Sequence, residues 1–143
     1  MQPSNPLDAA LSKCSLEPVW FIRVELAARD DARVREAVSD AVGLSYGSFE
    51  RVALESAEGM QFFRPTKDTT SGEMEETVEM PVRTLTFSVP RDPETLAKAI
   101  EAIRYAHSYE EPVIYVIEGA ATRSDYETDR DNPNRWWNRG FKL

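Results

Sequence analysis

Residues 105–112, which read Tyr-Ala-His-Ser-Tyr-Glu-Glu-Pro, hold the side chains best suited to chemistry in this chain. His107 is the only histidine, and Glu110 and Glu111 follow it closely. Imidazole and carboxylate groups are common ligands of zinc and copper, so His107 and Glu110 are candidate metal ligands, with Glu111 as a third. One chain supplies too few such ligands for a closed site. A trimer could still gather three copies of His107 around an axis or a cleft.

A structural role for His107 is the interpretation that the sequence favours. His107 falls at the end of a predicted helix, where an imidazole can hydrogen-bond free carbonyl groups and is stabilised by the helix dipole. A divalent metal ion is nevertheless the one cofactor that these residues suggest. The sequence does not identify the ligand.

Catalysis finds little support in the residues. One histidine and one cysteine, Cys14, offer no Ser-His-Asp or Cys-His arrangement. The chain also has no phosphate-binding glycine loop with its lysine and no His-Glu-x-x-His motif. The sequence predicts a binding protein and not an enzyme, with an acid–base enzyme as an unsupported alternative.

An acidic segment, residues 66–80, carries Lys67 against five carboxylates: Asp68, Glu73, Glu75, Glu76 and Glu79. This segment could attract a cation or a basic partner. A solvated, disordered loop explains the same composition, and we favour that interpretation. The spacing does not match the calcium-binding pattern of an EF-hand.

The C-terminal tail, residues 123–143, contains the adjacent Trp136 and Trp137 flanked by arginines. Such rings could stack on a base or cap a ligand cleft. We favour packing of the rings on the body of the protein or on a neighbouring subunit, because exposed aromatic pairs are unfavourable. Residues 132–143 carry three basic residues and no acid. We therefore hypothesise a contact between this tail and the acidic segment of another copy.

The length, charge and composition of the chain limit the kinds of partner that it can bind. The 143 residues fit one domain, and the net charge of −8 would repel a phosphate backbone, so we expect no nucleic acid. No apolar run is long enough to suggest a membrane helix. A single cysteine allows no intrachain disulfide. We expect a cytoplasmic protein.

Apolar residues in the first half of the chain recur at the spacings that strands and helices require. Every second residue from Trp20 to Leu26 is apolar, which predicts a strand with one face in a core. Asp30 and Asp31 are then predicted to cap a helix whose apolar residues continue to Val42. A second extended stretch covers residues 49–63 and is interrupted near residues 57–59.

The second half repeats this order. Residues 85–89 alternate as a third strand, and the run Asp-Pro-Glu at 92–94 is a strong helix start. That helix is predicted to end near Ala106 or His107. The continuous apolar run at 113–117 predicts a central strand covered on both faces.

The resulting order, strand-helix-strand-strand-helix-strand, predicts an α+β fold, the ferredoxin-like split β-α-β sandwich. It has a four-stranded antiparallel sheet with both helices on one face. The other face would carry Phe21, Arg23 and Tyr115 without a helix to cover them. We predict that this face meets another subunit.

Several short motifs together resemble a known family. Residues 105–112 resemble the His-Pro-Tyr-Glu-Glu-Pro signature of the YqfO-type domain inserted in Nif-three-like (GTP cyclohydrolase type 2-like) proteins, and CutA has a related motif. Residues 34–37 resemble the first helix of that domain, and Gly47, Ser48 and Phe49 resemble its Gly-Asn-Tyr turn. Gly59 and the Phe-Arg-Pro run at 63–65 resemble its Gly-x-Gly-x-Phe-Arg-Pro stretch. The resemblance covers residues 19–122, and Ser108 and Gln61 depart from the motifs.

The resemblance implies a PII/CutA-like fold, a homo-oligomer that is expected to be a trimer, and a long loop between strands two and three. In such proteins the loop and the clefts between subunits handle small ligands. The implied ligand-binding residues are Gly47, Phe49, Arg64, Tyr109, Glu110 and Glu111. The implied division of the chain is an arm at 1–18, a PII/CutA-like domain at 19–122 with an acidic loop at 66–81, and a tail at 123–143. The catalytic half of the Nif-three-like proteins has no counterpart here, so their activity is not carried over.

Overall fold

The structure is a computed structural model that describes residues 4–142. A short 3-10 helix at Pro6–Asp8 precedes the sheet and helices. The elements in chain order are β1 (Cys14–Leu26), α1 (Ala28–Val42), β2 (Leu54–Glu55), β3 (Gly59–Phe63), β4 (Val78–Pro90), α2 (Pro93–Ala106), β5 (Val113–Ser124), α3 (Tyr126–Asp129) and α4 (Trp136–Arg139).

The strands form one antiparallel sheet in the order β2-β4-β1-β5, and β3 pairs with the first five residues of β4. Because β2 and β3 lie on the same side of β4, they act as one strand that is interrupted where the sequence predicted. The order strand-helix-strand-strand-helix-strand is thus the split β-α-β arrangement. The predicted α+β, ferredoxin-like fold is confirmed.

The core lies between the helices and one face of the sheet. In β1 the alternating Ile22, Val24 and Leu26 are buried, and Phe87 and Leu85 of β4 lie directly opposite the first two. Residues paired across antiparallel strands point to the same face, so these side chains form one apolar layer. The helices cover that layer with Val34, Val38, Ala99, Ile103 and Ala106.

The two helices begin differently. Asp92 caps α2 as predicted, because its carboxylate accepts hydrogen bonds from the backbone N–H groups of Glu94 and Thr95. The helix ends at Ala106, also as predicted. For α1 the predicted cap is wrong: the helix begins at Ala28, so Asp30 and Asp31 lie inside its first turn. Both carboxylates are there engaged by residues from distant parts of the chain.

The prediction that residues 113–117 form a central strand is wrong. Within the described residues β5 lies at the edge of the sheet and pairs with β1. Tyr115 and Ile117 are each 51% exposed. A continuous apolar run suggests burial on both faces, but burial also depends on the strand order, which places this run at an edge. The apolar surface of β5 is therefore available to something outside the chain.

Two element boundaries also differ from the predicted ones. Strand β1 begins at Cys14, inside the segment predicted as an arm, and its first residues pair with the end of β5. The arm was predicted to extend to Pro18. Residues 14–18 instead already pair with β5, whereas the ladder with β4 begins only at Val19. Strand β4 begins at Val78, inside the predicted acidic loop, because it pairs there with β3. No helix in residues 4–142 is both long and apolar enough to cross a membrane.

Candidate functional site

The predicted site residues fall at opposite ends of β1. We call the end at Leu26 the loop end, because the β3–β4 hairpin and its loop at residues 64–77 extend beyond it. The other end, at Cys14, is the tail end, where α3 and α4 follow β5. Residues 105–112 lie at the loop end, where His107 contacts the backbone of Glu25.

His107 is held inside the protein by both of its ring nitrogens. Its side chain is fully buried, Nε2 lies 2.8 Å from the carbonyl oxygen of Glu25, and Nδ1 accepts a hydrogen bond from the backbone N–H of Tyr109 at 3.1 Å. A neutral imidazole with its proton on Nε2 satisfies both contacts. A metal could bind only by displacing one of them. This geometry favours the structural interpretation, although the carbonyl group belongs to β1 and not to the end of α2.

A buried carboxylate lies beneath this segment. Asp30 is fully buried, and its Oδ2 accepts hydrogen bonds from the hydroxyl of Ser108 at 2.5 Å and from the Ser108 backbone N–H at 3.3 Å. Arg33 contacts the other carboxylate oxygen and also donates to the carbonyl oxygen of Ala106. Burial acts to raise the pKa of Asp30, but the bonds from Ser108 and Arg33 hold this pKa below its usual value.

The Asp30 network was missed at the level of sequence. Its only local signal is the spacing of Asp30 and Arg33, which are three residues apart on one helix. Ser108 was noted only as a departure from the proline of the family motif. A proline could supply neither of the two hydrogen bonds that Ser108 donates, so this departure coincides with the buried partner on α1.

Residues 105–112 are also joined to the long loop. The Glu110 carboxylate accepts a hydrogen bond from the backbone N–H of Thr70 at 3.0 Å. The Tyr109 hydroxyl lies 3.9 Å from the sulfur of Met80 on β4, and burial raises the pKa of this tyrosine. The structure thus brings Tyr109 and Glu110 against the loop and its hairpin. Arg64 is exposed at the start of the same loop.

Glu111 stands apart from this contact. It is exposed, and its carboxylate lies 3.8 Å from the guanidinium of Arg104. Within residues 4–142 no group of three or more histidine, cysteine, aspartate or glutamate side chains is arranged to hold a metal ion. The metal assignment of His107 and Glu110 stays a prediction.

Gly47 and Phe49 lie at the tail end. Tyr46 and Phe49 exchange two backbone hydrogen bonds around a turn in which Gly47 has a φ of +59°, a conformation that glycine adopts without strain. The Tyr46 hydroxyl lies 3.2 Å from that of Thr122, and the Arg123 guanidinium lies 4.3 Å from the ring centre of Tyr46. The turn therefore rests on the last residues of β5.

The register of the sheet gives the separation between the two groups. Thr122 pairs with Leu16 and Val113 pairs with Glu25, so nine residues of β1 separate the two places. At about 3.3 Å per residue the distance along β1 is about 30 Å. One chain therefore does not bring Gly47 and Phe49 to Glu110.

The uncovered sheet face lies between these ends. By register, Phe21 and Arg23 of β1 share this face with Ile117 and Tyr115 of β5, as the sequence predicted. An open groove of about 650 Å³ lies on it, and the residues that line it include Val19, Phe21, Tyr46, Val52, Leu54 and Ile117. Leu54 is 69% exposed. The face is a large apolar surface that the helices do not cover.

A second polar cluster ties the base of the hairpin to α1. Arg83 lies 2.9 Å from the carboxylates of both Asp31 and Glu55. A hydrogen bond with Glu55, together with Arg83, lowers the pKa of Asp31 although burial opposes it. These three residues come from α1, β2 and β4, and no spacing in the sequence indicates that they meet.

Solved structures of other proteins share this fold. A Bacillus cereus protein related to NIF3 matches with a TM-score of 0.63 and 21% identity, over 79% of this chain and 29% of that protein. CutA from Synechococcus elongatus matches with a TM-score of 0.54 and 14% identity, over 75% and 85% of the two chains. The divalent ion tolerance protein CutA1 from Ehrlichia chaffeensis matches with a TM-score of 0.53 and 13% identity, over 71% and 80%.

At these levels of sequence identity, the similarities show a shared fold. The chain spans less than a third of the length of the Bacillus cereus protein. No family model matches the chain, and no curated protein is significantly similar to it. The predicted CutA-like fold is confirmed, and the predicted resemblance to NIF3-related proteins is confirmed at the level of the fold.

Proposed function

We propose that this chain is the subunit of a cytoplasmic homo-oligomer, expected to be a trimer, that binds a small ligand or a cation in clefts between subunits. Its role is regulatory and not enzymatic. The observation that carries the proposal is the hydrogen bond from Thr70 to Glu110, which joins residues 105–112 to the long loop. A ligand that engages Glu110 would compete with this bond and change the position of the loop.

The uncovered apolar surface supports an oligomer. Phe21, Leu54, Tyr115 and Ile117 are all exposed on the face opposite the helices. A cluster of exposed apolar side chains of this kind is unfavourable in water and marks an interaction surface. Within residues 4–142 no strand pairs with the outer edge of β5, so its backbone groups can accept another strand. A second copy of the chain would cover both.

The separation of the predicted ligand residues supports a cleft that two copies share. Gly47 and Phe49 lie at the tail end, and Tyr109 and Glu110 lie at the loop end, about 30 Å away along β1. These residues could line one cleft only if the tail end of one copy met the loop end of another. The proposed binding site would therefore be incomplete in one chain.

A divalent cation is the second candidate for the ligand, because one of the similar structures is described as a divalent ion tolerance protein. The carboxylates of Glu110 and Glu111 offer oxygen ligands for such an ion. His107 would first have to give up a hydrogen bond to Glu25 or Tyr109. Loss of stoichiometric zinc or copper in His107→Ala, with the fold retained, would support this candidate.

Native mass spectrometry of freshly purified protein tests the proposal, because it reports assembly and bound mass together. We expect a homo-oligomer that carries additional mass, and we expect Glu110→Gln to lose that mass. Glu101→Gln is the matched control, since Glu101 is an exposed carboxylate on α2. A bare monomer would contradict the proposal, and so would turnover of a substrate by the purified protein.

A further inference from the structure

The C-terminal residues form a small folded unit of their own, residues 125–142, which we call the tail cap. The carbonyl oxygen of Arg130 accepts hydrogen bonds from the Trp137 indole and from the Asn138 amide, each at 2.8 Å. Arg135 forms an ion pair with Asp129 across the same turn. These bonds fix a defined surface on the tail cap.

The second half of the tail cap, residues 132–142, combines aromatic rings with positive charge. Its first half, residues 125–131, carries four acids and one arginine, so the tail cap as a whole has no net charge. The rings of Tyr126 and Trp137 lie 5.3 Å apart, and those of Trp136 and Trp137 lie 5.8 Å apart at nearly a right angle. Both tryptophans are half-buried, whereas Tyr126 and Phe141 remain exposed. The tryptophan and Tyr126 rings thus pack on each other, and the tail cap still exposes two aromatic side chains. The exposed basic side chains of its second half are Arg139 and Lys142, whereas Arg130 is paired with Glu127 in the first half.

The opposite combination occurs on the β3–β4 hairpin. Met60 pairs with Pro81 and Phe62 pairs with Glu79, so these four side chains share one face, which we call the hairpin face. Met60 is 50% exposed and Phe62 is 62% exposed. The adjoining loop adds the exposed Met74 and several exposed carboxylates: Asp68, Glu73, Glu75 and Glu76.

The two surfaces cannot meet within one chain. The tail cap is attached at the tail end, where the backbone N–H of Asp125 donates to the carbonyl oxygen of Lys13 and Lys13 contacts Thr128. The hairpin begins beyond Leu26, which pairs with Arg83. The length of β1 alone separates them by about 40 Å at 3.3 Å per residue.

We propose that the tail cap of one copy docks on the hairpin face of a second copy. Tyr126 and Phe141 would cover Met60 and Phe62, and Arg139 and Lys142 would face the carboxylates of the loop. The second half of the tail cap carries three basic residues and no acid, of which Arg135 is paired with Asp129, whereas residues 66–80 carry five acids and one lysine. This half and the loop are therefore complementary in charge. The contact joins two different surfaces, so it is heterologous. Repeated from copy to copy, it closes a ring if the rotation between neighbouring copies divides a full turn evenly.

This contact rests on the proposed homo-oligomer and adds to it. It joins the tail end of one copy to the loop end of the next, which is the juxtaposition that a shared ligand cleft requires. A protein of different sequence could bind the hairpin face instead. Cysteine cross-linking between copies of this chain distinguishes the two cases.

Cysteine cross-linking of the full-length chain tests the contact. In a Cys14→Ser background, Phe62→Cys chains are mixed with Phe141→Cys chains, and the disulfide-linked peptides are counted by mass spectrometry. We expect linkage of position 62 to position 141 to exceed linkage between like positions by about tenfold, since 1.4 kcal/mol of preference corresponds to that factor. High salt should reduce the excess, because part of the attraction is electrostatic.

The control replaces Phe141→Cys with Tyr105→Cys, at an α2 residue that is 94% exposed. We expect only the linkage of random collision from this pair. Equal yields from the two mixtures would overturn the proposed contact. If native mass spectrometry then still shows an oligomer, the tail contact fails alone, whereas a monomer would overturn the proposed function as well.

Discussion

The loop end and the tail end are stabilised by different means. At the loop end, residues 105–112 are held by hydrogen bonds from Ser108 to the fully buried Asp30 and from the buried His107 side chain to Glu25 of β1. At the tail end, the tail cap is held by bonds around the carbonyl of Arg130 and by rings that pack on each other. We therefore expect the loop end to belong to the cooperative core and the tail cap to open without unfolding the sheet.

This difference matters for function because each end carries one half of the proposed shared cleft. The loop end combines a fixed segment with a loop that is attached to it through Glu110 and Thr70. The tail end presents a small unit whose defined surface is held by its own hydrogen bonds and ring contacts. Four predictions test the contrast.

The largest effect is expected from Asp30→Asn. The amide cannot accept the same set of hydrogen bonds, so the Ser108 hydroxyl and backbone and the Arg33 guanidinium lose a buried anion. We expect a loss of about 2–4 kcal/mol in the free energy of unfolding, measured by denaturant titration. Asp40→Asn is the control, because Asp40 is an exposed residue of the same helix that pairs with Arg51. Equal losses in the two variants would contradict a buried network.

Acid should act strongly through the same residue. The pKa of Asp30 is lower in the folded protein than the ordinary value of 3.8, so the stabilisation that its ionised carboxylate provides is present above that value. It is lost as the pH falls from there through the folded pKa. We expect the free energy of unfolding to decrease on acidification below about pH 4.

The acid dependence should be weaker in Asp30→Asn than in the unaltered protein. The carboxylates of Asp31, Asp92 and Asp129, whose pKa values are also lowered, keep a residual dependence in both. Parallel stability curves for the two proteins would show that Asp30 does not contribute.

A smaller, local effect is expected from Trp137→Phe. The substitution keeps the aromatic ring but removes the indole N–H that donates to Arg130. We expect amide hydrogen exchange in residues 126–139 to accelerate by about fivefold, as loss of one hydrogen bond of about 1 kcal/mol allows. Exchange in the core strands should stay unchanged. Acceleration throughout the sheet would contradict an independently opening tail cap.

The smallest global effect is expected from Glu110→Ala. The exposed bond to Thr70 contributes less than about 0.5 kcal/mol to folding, so the melting temperature should hardly change. Because alanine removes the acceptor, the Thr70 amide should nevertheless exchange faster than in Glu101→Ala. Unchanged exchange at Thr70 would mean that Glu110 does not hold the loop.

The elements of the core could be predicted from the sequence because their signals are local. The alternation from Trp20 to Leu26 and the capping run at 92–94 each determine an element from neighbouring residues. The order of these elements then leaves few topologies, and the split β-α-β arrangement is one of them. These are the parts of the fold that the structure confirms.

The position of β5 could not be predicted in this way. Residues 113–117 are apolar throughout, and this pattern does not distinguish a central strand from an edge strand that meets another molecule. The strand order decides between them, and it is set by pairing between β1 and residues about one hundred positions later in the chain.

The motif at 105–112 singled out Tyr109 and Glu110, and the structure places both against the hairpin and its loop. Their role in binding a ligand stays a prediction. Asp30, the buried partner of Ser108, was not identified from the sequence. It lies 78 positions from Ser108, and its place just before a helical pattern of apolar residues predicted a helix cap instead. The wide separation of Phe49 from Glu110 was also not foreseen, since family motifs give no distances.

The meeting of unlike ends between copies is the central claim, and a distance between copies tests it most directly. Chains with Phe49→Cys and chains with Glu111→Cys, both in Cys14→Ser, would each carry one spin label and be mixed. Electron spin resonance should then detect distances between copies well below the separation of about 30 Å along β1 within one chain. Absence of dipolar coupling in the assembled protein would contradict a cleft shared by the tail end of one copy and the loop end of the next.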